Sequence, residues 1–106
     1  MAPRIMEWLP AFFRPQEPKL LTVEVNVPSD ANKFLLDDRR LIFDANGVSE
    51  TWVEPGSYVL FWVVYGGDGQ EYSIEITTPE SAVWKSKDYS IVGDHDTGVH
   101  NPVVIK

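Results

Sequence analysis

The feature that most constrains this chain is a pair of apolar segments joined by glycines. Residues 57–65 and 70–77 are rich in β-branched and aromatic side chains, and Gly66-Gly67-Asp68-Gly69 lies between them. Two such runs separated by a glycine-rich connector are the pattern of a β-hairpin, because glycine supplies the positive φ angles that tight turns need. The sequence therefore predicts a hairpin at the centre of an all-β fold.

The length of the connecting loop decides which side chains share a face, since directly opposed residues of an antiparallel pair point the same way. With a loop of two or four residues, one face is apolar on both strands. The other face is mixed and sets apolar side chains against acidic ones, namely Tyr58, Leu60 and Trp62 against Glu71 and Glu75. A loop of three residues would bring Leu60 and Trp62 into the core instead. In either register the first strand is apolar on both sides, so we expect it to be central and covered twice.

Other segments have the alternation or the turn signals of short strands. Residues 20–27 alternate apolar and polar side chains, and residues 48–53 follow an Asn-Gly turn signal. Residues 33–40 fit either a short helical turn or a strand, and residues 93–102 are predicted to be a loop. About seven short strands with regular turns predict an immunoglobulin-like antiparallel β-sandwich.

The chain divides into an N-terminal arm and one sandwich domain. Residues 1–19 contain four prolines and an interrupted apolar pattern, so we expect an irregular arm that either covers the sheet or binds a partner or a membrane surface. Residues 20–106 are predicted to form the β-sandwich. The apolar run of the arm is broken by Glu7 and Pro10, which makes it a poor signal peptide and too short to span a bilayer. Cytoplasmic residence is the default expectation, and export is left open.

Composition excludes several classes of function. The formal net charge of −7 at pH 7 argues against nucleic-acid binding, which depends on clustered Lys and Arg. The chain has no cysteine, so disulfides, Fe–S clusters and thiol catalysis are ruled out. No nucleophile with a positioned base stands out, and we expect neither an enzyme nor a cofactor.

Residues 94–101 are the densest group of potential metal ligands. Two imidazoles, His95 and His100, lie close to Asp94 and Asp96 in the sequence. Such side chains bind zinc or copper when they converge, but this spacing matches no standard zinc site, and Asp, Gly and Asn are also common in polar loops. We therefore predict a solvated loop without metal and keep a metal-binding domain as a second alternative.

Two short stretches resemble known families. Asp96-Thr97-Gly98 resembles the motif of aspartic proteases, where it lies near the start of the chain; here only eight residues follow it, and we do not expect protease activity. Residues 55–58 together with Asp68-Gly69-Gln70 look like the late hairpin of small copper-carrying β-sandwich proteins. That resemblance implies a sandwich, while Gln70 stands where those proteins have histidine.

The aromatic residues provide the remaining functional signal. Four tryptophans are many for a chain of 106 residues, and exposed tryptophan serves both as an interface hot spot and as a platform for sugar rings. We predict a non-enzymatic module that binds a protein, either a partner or a second copy, through the mixed face or an edge strand. The predicted contact residues are Tyr58, Leu60, Trp62, Glu71, Glu75, Trp52 and Trp84. The alternative is a carbohydrate-binding module that uses exposed Trp and Tyr.

Overall fold

The computed structural model describes residues 17–106, so most of the predicted arm lies outside the described residues. The described chain forms β-strands, one 3₁₀ turn at Glu80–Ala82 and no α-helix. The strands in chain order are β1 Lys19–Asn26, β2 Asn32–Leu36, β3 Arg39–Arg40, β4 Val48–Val53, β5 Gly56–Tyr65, β6 Glu71–Thr78, β7 Trp84–Lys85, β8 Tyr89–Ser90 and β9 His95–Ile105.

The strands form two antiparallel sheets. The first sheet has the order β4-β1-β6-β7, with β8 also paired to β6, and the second has the order β3-β2-β5-β9. The two sheets pack face to face, which confirms the predicted all-β sandwich. The immunoglobulin-like assignment is not confirmed, because consecutive long strands here alternate between the sheets, whereas that fold pairs several consecutive strands within one sheet.

The core lies between the sheets and follows from the period-two alternation of each strand. In β5 every second residue is buried, and Leu60, Trp62 and Val64 are at most 1% exposed. In β6 the buried residues Ile74 and Ile76 alternate with outward Ser73 and Glu75, and the same pattern holds in β1. Burial of these side chains from both inner faces is the main source of stability for such a fold.

The predicted central hairpin is wrong. β5 pairs with β2 and β9, whereas β6 pairs with β1, β7 and β8, so these two consecutive strands lie in opposite sheets. The glycine-rich loop crosses the sandwich and is held by backbone hydrogen bonds from Gly66 N to Asp94 O (3.1 Å) and from Gly69 N to Ile91 O (2.7 Å). A hairpin and a crossing both use glycine for unusual backbone angles, and Gly69 has a φ of 82°.

The structure corrects the prediction for residues 93–102 and decides the prediction that was left open for residues 33–40. The predicted loop at residues 93–102 is largely strand, because β9 begins at His95 and runs along β5 for most of its length. The ambiguous residues 33–40 form strands rather than a helical turn, with β2 and β3 joined by a tight turn in which Asp37 has a φ of 52°. Its carboxylate accepts a hydrogen bond from Val59 N at 2.9 Å, which fixes this turn against β5.

Candidate functional site

The two outer faces of the sandwich differ in chemistry. The outward side chains of the first sheet include four glutamates, Glu24, Glu50, Glu71 and Glu75. The outward side chains of the second sheet are largely apolar. Six of them form a surface that we call the apolar face: Leu35, Val59, Phe61, Val63, Tyr65 and Val99.

Strand register makes the apolar face continuous. Phe61 lies between Leu35 on β2 and Val99 on β9, and all three residues share one row across the sheet. Val63 lies in the next row and Tyr65 in the row after it. Val99 is 56% exposed and Tyr65 is 47% exposed, while the other members are partly buried. Directly opposed side chains on one face of a sheet are close enough to pack as a unit.

The apolar face is not covered by any of the described strands. All nine described strands belong to the two sheets, and none of them lies over it. The cationic side chains of Lys33 and Arg40 lie on its β2 and β3 side, and Thr97 and His95 lie on its β9 side. An apolar centre with a polar border is the usual anatomy of a protein interface.

One side of the apolar face ends at an exposed strand edge. β9 is 11 residues long and pairs with no described strand other than β5. The opposite edge strand, β3, has only two residues. A long edge strand offers unpaired backbone N–H and C=O groups to an incoming strand, so the β9 side of the sheet is suited to strand addition.

Two of the predicted contact residues belong to the core. Leu60 is 0% exposed and Trp62 is 1% exposed, so the expectation that they are exposed anchors of a mixed face is wrong. The reason is the crossing loop, which places β6 opposite β5 across the sandwich rather than beside it. Tyr58 is partly buried against the same core, and its hydroxyl donates a hydrogen bond to Glu54 O at 2.6 Å.

The remaining predicted contact residues do not share a surface with those three. Glu71 and Glu75 point outward from the first sheet, on the face opposite to the apolar face. Trp52 lies on the same outer face, opposite Leu20, and is 64% exposed. The first sheet therefore lies between the acidic residues of the predicted site and its buried apolar residues.

Trp84 is the first residue of β7 and lies at the side of the sandwich where β7 is close to β9. Its ring stacks on the imidazole of His100 with centroids 4.0 Å apart and an interplanar angle of 8°. The contact joins an edge of the first sheet to an edge of the second. Partial burial lowers the pKa of His100, because desolvation disfavours the imidazolium.

A buried polar chain links the two sheets beneath this contact. Trp62 Nε1 donates to the Tyr72 hydroxyl at 2.9 Å, and that hydroxyl donates to Asp96 Oδ2 at 2.5 Å. Burial, followed by the hydrogen bond to Asp96, raises the pKa of Tyr72 above the usual range for tyrosine. These two hydrogen bonds give the indole N–H of a fully buried tryptophan its acceptor, which is a structural role.

The two histidines are not brought together. His95 points outward from β9, where Nδ1 lies 2.6 Å from Asp94 Oδ1, whereas His100 points inward onto Trp84. The hydrogen bond with His95 lowers the pKa of Asp94. Within residues 17–106, no group of three or more His, Cys, Asp or Glu side chains is arranged to hold a metal ion.

A cleft of about 440 Å³ lies at the other side of the sandwich, where the segment between β3 and β4 passes over the end of β1. Its walls combine apolar side chains such as Phe43 with polar ones, including Asp30, Arg40 and Asp44. The Asp44 carboxylate is used by the turn, accepting hydrogen bonds from Asn46 N (2.8 Å) and Val48 N (3.0 Å). The described lining residues include no Ser, Cys, Tyr or His.

Sequence reasoning missed the members of the apolar face. Val99 lay in a predicted loop, and the outward side of β5 was assigned by assuming a hairpin. A usable signal was present, because a run such as Val59-Leu60-Phe61-Trp62-Val63-Val64 predicts apolar side chains on both faces of a strand. Only one of those faces can point into a two-layer core.

Among the described residues, no helix has the length and apolarity needed to cross a membrane. Comparisons with protein-family models, with curated proteins and with solved structures give no match for this chain.

Proposed function

We propose that this chain is a non-enzymatic interaction module that binds a protein partner through the apolar face. One observation carries the proposal: six apolar side chains form a continuous outer surface with no cover among the described strands. Contiguous exposed apolar patches on soluble proteins usually mark interaction sites, because leaving them in water is unfavourable.

The position of each residue suggests its role at such an interface. Phe61 is at the centre of the row and is the expected anchor, since aromatic side chains at the middle of an interface contribute most to binding. Val99 is the most exposed member and lies on the edge strand, where a partner can add its own strand. Lys33 and Arg40 favour a partner that carries carboxylates beside its apolar residues.

The test is site-specific cross-linking from the two outer faces. A photo-reactive amino acid at position 99, in the whole chain expressed in its own cells, is expected to cross-link one protein that the same group at position 50 does not. The affinity of the purified partner should fall at least about tenfold in Val99→Lys, because a charge is introduced into a desolvated contact. Glu50→Lys is the matched control on the opposite face and should leave the affinity within about twofold of the original.

Equal cross-linking from positions 99 and 50, or an affinity that Val99→Lys does not change, would exclude the apolar face as the binding surface. A cross-linked product between two copies of this chain would identify the partner as the chain itself.

Carbohydrate binding is the second candidate, and the exposure of Trp52 favours it. The ring lies on a polar sheet face beside Glu50 and Thr22, and aromatic rings in such surroundings stack on sugars. Calorimetry against a glycan panel should then give heat with at least one glycan, and Trp52→Ala should abolish it. Ile42→Ala removes another exposed apolar side chain and should have no effect. Absence of heat with every glycan, or heat that persists in Trp52→Ala, would eliminate this candidate.

A further inference from the structure

We propose that a second copy of this chain adds its own β9 to the free edge of β9, so that the second sheets of the two copies join around a two-fold axis at Gly98. This inference rests on the proposed function, because Val99 on that edge is a member of the apolar face, and it names the partner as the chain itself. The two apolar faces then become neighbouring parts of one larger surface.

The backbone of β5 shows which groups of β9 are free. Asp37 N donates to Val59 O at 2.8 Å and Val59 N donates to Asp37 Oδ1, so the odd-numbered residues of β5 direct their backbone groups to the β2 side. Backbone groups alternate sides along a strand, and the even-numbered residues therefore face β9. In the register of the two strands they oppose Asp96, Gly98 and His100. Thr97 and Val99 must then direct their N–H and C=O groups to the free edge.

The residues on both sides of this open stretch already have partners. An isolated bridge to Val92 occupies the start of β9, and Ser81 Oγ donates to Val104 O at 2.8 Å near its end. Within residues 17–106, no hydrogen bond reaches the outward backbone groups of Thr97 and Val99. The open part of the edge is therefore confined to the middle of the strand.

This open stretch is complementary to itself. Around a two-fold axis each contact occurs twice, so Thr97 of either copy lies opposite Val99 of the other. Opposed residues of a hydrogen-bonded antiparallel pair exchange both N–H···O bonds, and the two pairs give about four hydrogen bonds between the copies. Gly98 lies on the axis, where it places no side chain between the strands.

The long edge strand of the first sheet is closed to the same kind of pairing. On β4, Arg39 Nη1 donates to Trp52 O at 3.1 Å and Asp44 N donates to Val48 O at 2.9 Å. The backbone position between these two bonds is that of Glu50, and like charges on directly opposed strands are unfavourable. A second copy therefore has a better site at β9 than at β4.

The side chains along the β9 edge also suit a second copy. Thr97 and Val99 are uncharged, and on β5 they lie beside Val63 and Phe61, so the contact brings two uncharged rows together. The net charge of −7 on each copy then acts only at longer range, where salt screens it.

Thr97→Pro tests the backbone pairing. Proline removes the edge-facing N–H of residue 97 in both copies, and the fold tolerates it because that N–H does not bond to β5. A contact of this size is weak, so we expect sedimentation velocity of the whole chain to show a dimer at concentrations up to about 1 mM. Thr97→Pro should raise its dissociation constant at least about tenfold, whereas the matched control Thr97→Ala keeps the N–H and should stay within about threefold.

A disulfide test measures the register and does not depend on the proline variant. The chain has no cysteine, so Thr97→Cys and Val99→Cys each carry a single thiol. Opposed Cα atoms of a hydrogen-bonded pair lie about 5.5 Å apart, within the reach of a disulfide, whereas identical positions lie diagonally and about 7–8 Å apart. An equimolar mixture should therefore form the mixed disulfide at least about fivefold faster than either variant forms its own.

Three results would overturn the inference. They are a whole chain that stays monomeric at about 1 mM, a dimer that Thr97→Pro and Thr97→Ala weaken equally, and equal rates for the mixed and the single disulfides. If the chain is monomeric while position 99 cross-links a different protein, the proposed function stands and this inference fails. Equal cross-linking from positions 99 and 50 would instead exclude the proposed function itself.

Discussion

Replacing Gly98 by alanine is expected to lower the free energy of unfolding by about 2–3 kcal/mol, the upper part of the range for overpacking a tightly filled core. Gly98 lies on β9 directly opposite Trp62 in the register of the second sheet. A Cβ atom at this position would lie 2.7 Å from Trp62 Nε1 and closer still to other atoms of the indole ring. One of the two strands, or the ring, must therefore move.

The indole ring has little room to move away. Its Nε1 donates to the Tyr72 hydroxyl, and its faces and edges contact Phe34, Trp84 and Tyr89 with ring centroids between 5.8 and 6.4 Å. Displacing the ring would strain this packing and break a buried hydrogen bond, both of which are unfavourable. An ordinary Gly→Ala substitution in a strand often stabilises the fold slightly. We therefore attribute the expected loss of stability at position 98 to the contact with the indole ring.

Chemical denaturation monitored by tryptophan fluorescence will measure this effect. Gly67→Ala is the matched control, since its nearest neighbour is the flexible end of Gln70 at 3.3 Å, and it should change the free energy of unfolding by less than about 0.5 kcal/mol. Equal stability of Gly98→Ala and the original protein would show that the indole does not pack against β9 as described.

Tyr72→Phe is expected to lower the free energy of unfolding by about 2 kcal/mol, although it removes a single oxygen atom. That oxygen accepts from Trp62 Nε1 and donates to Asp96 Oδ2. Its loss leaves a fully buried indole N–H without an acceptor and a partly buried carboxylate without its donor. The cost is the desolvation of both groups rather than the loss of apolar contact, because the phenyl ring remains.

Tyr72→Phe should also change how the free energy of unfolding varies with pH in the alkaline range. The pKa of Tyr72 is raised in the folded protein, so above the ordinary tyrosine value near 10 the unfolded chain releases this proton first. The unfolded state then binds fewer protons than the folded state, and stability must fall as pH rises above about 10. We expect Tyr72→Phe to lose this part of the alkaline slope.

Tyr65→Phe is the control for both measurements. Tyr65 is 47% exposed on the apolar face, and its substitution should change stability by less than about 0.5 kcal/mol and preserve the alkaline slope. Urea titrations of the three proteins at pH 7, 9.5 and 11 separate the two effects. An unchanged slope in Tyr72→Phe would assign the alkaline sensitivity to other groups.

The sequence was sufficient to predict four of the longer strands but not their partners. Alternation identified β1, a turn signal identified β4, and runs of β-branched and aromatic residues identified β5 and β6, each to within about one residue. Pairing depended on the loop after Tyr65, where glycines fit a return within one sheet as well as a passage to the other. The residues of the loop alone cannot distinguish these two paths. The carbonyl groups that accept the hydrogen bonds of the crossing loop belong to Ile91 and Asp94, far along the chain.

The candidate site was less predictable than the fold for a related reason. Polar residues such as His95, Asp96 and Asn101 made β9 resemble a loop. An edge strand tolerates polar side chains on its outward face, and the inward carboxylate of Asp96 is satisfied by the Tyr72 hydroxyl. Gly98 also weakened the strand signal, although a glycine inside a strand often marks the close approach of another group. Here that group is the Trp62 ring, and nothing in the local sequence identifies it.

The alternation of consecutive long strands between the two sheets has a consequence for how this domain folds. A hairpin can form early because its two strands are adjacent in the chain, but within residues 17–106 no two consecutive long strands are paired with each other. The main ladders join β1 to β6 and β5 to β9, so each closes a long loop before any of its contacts stabilises the chain. Such topologies fold slowly, on the order of milliseconds to seconds, and neither sheet has a local route to form ahead of the other. Newly made copies of this chain should therefore spend longer with their strand edges exposed than a meander of equal size would.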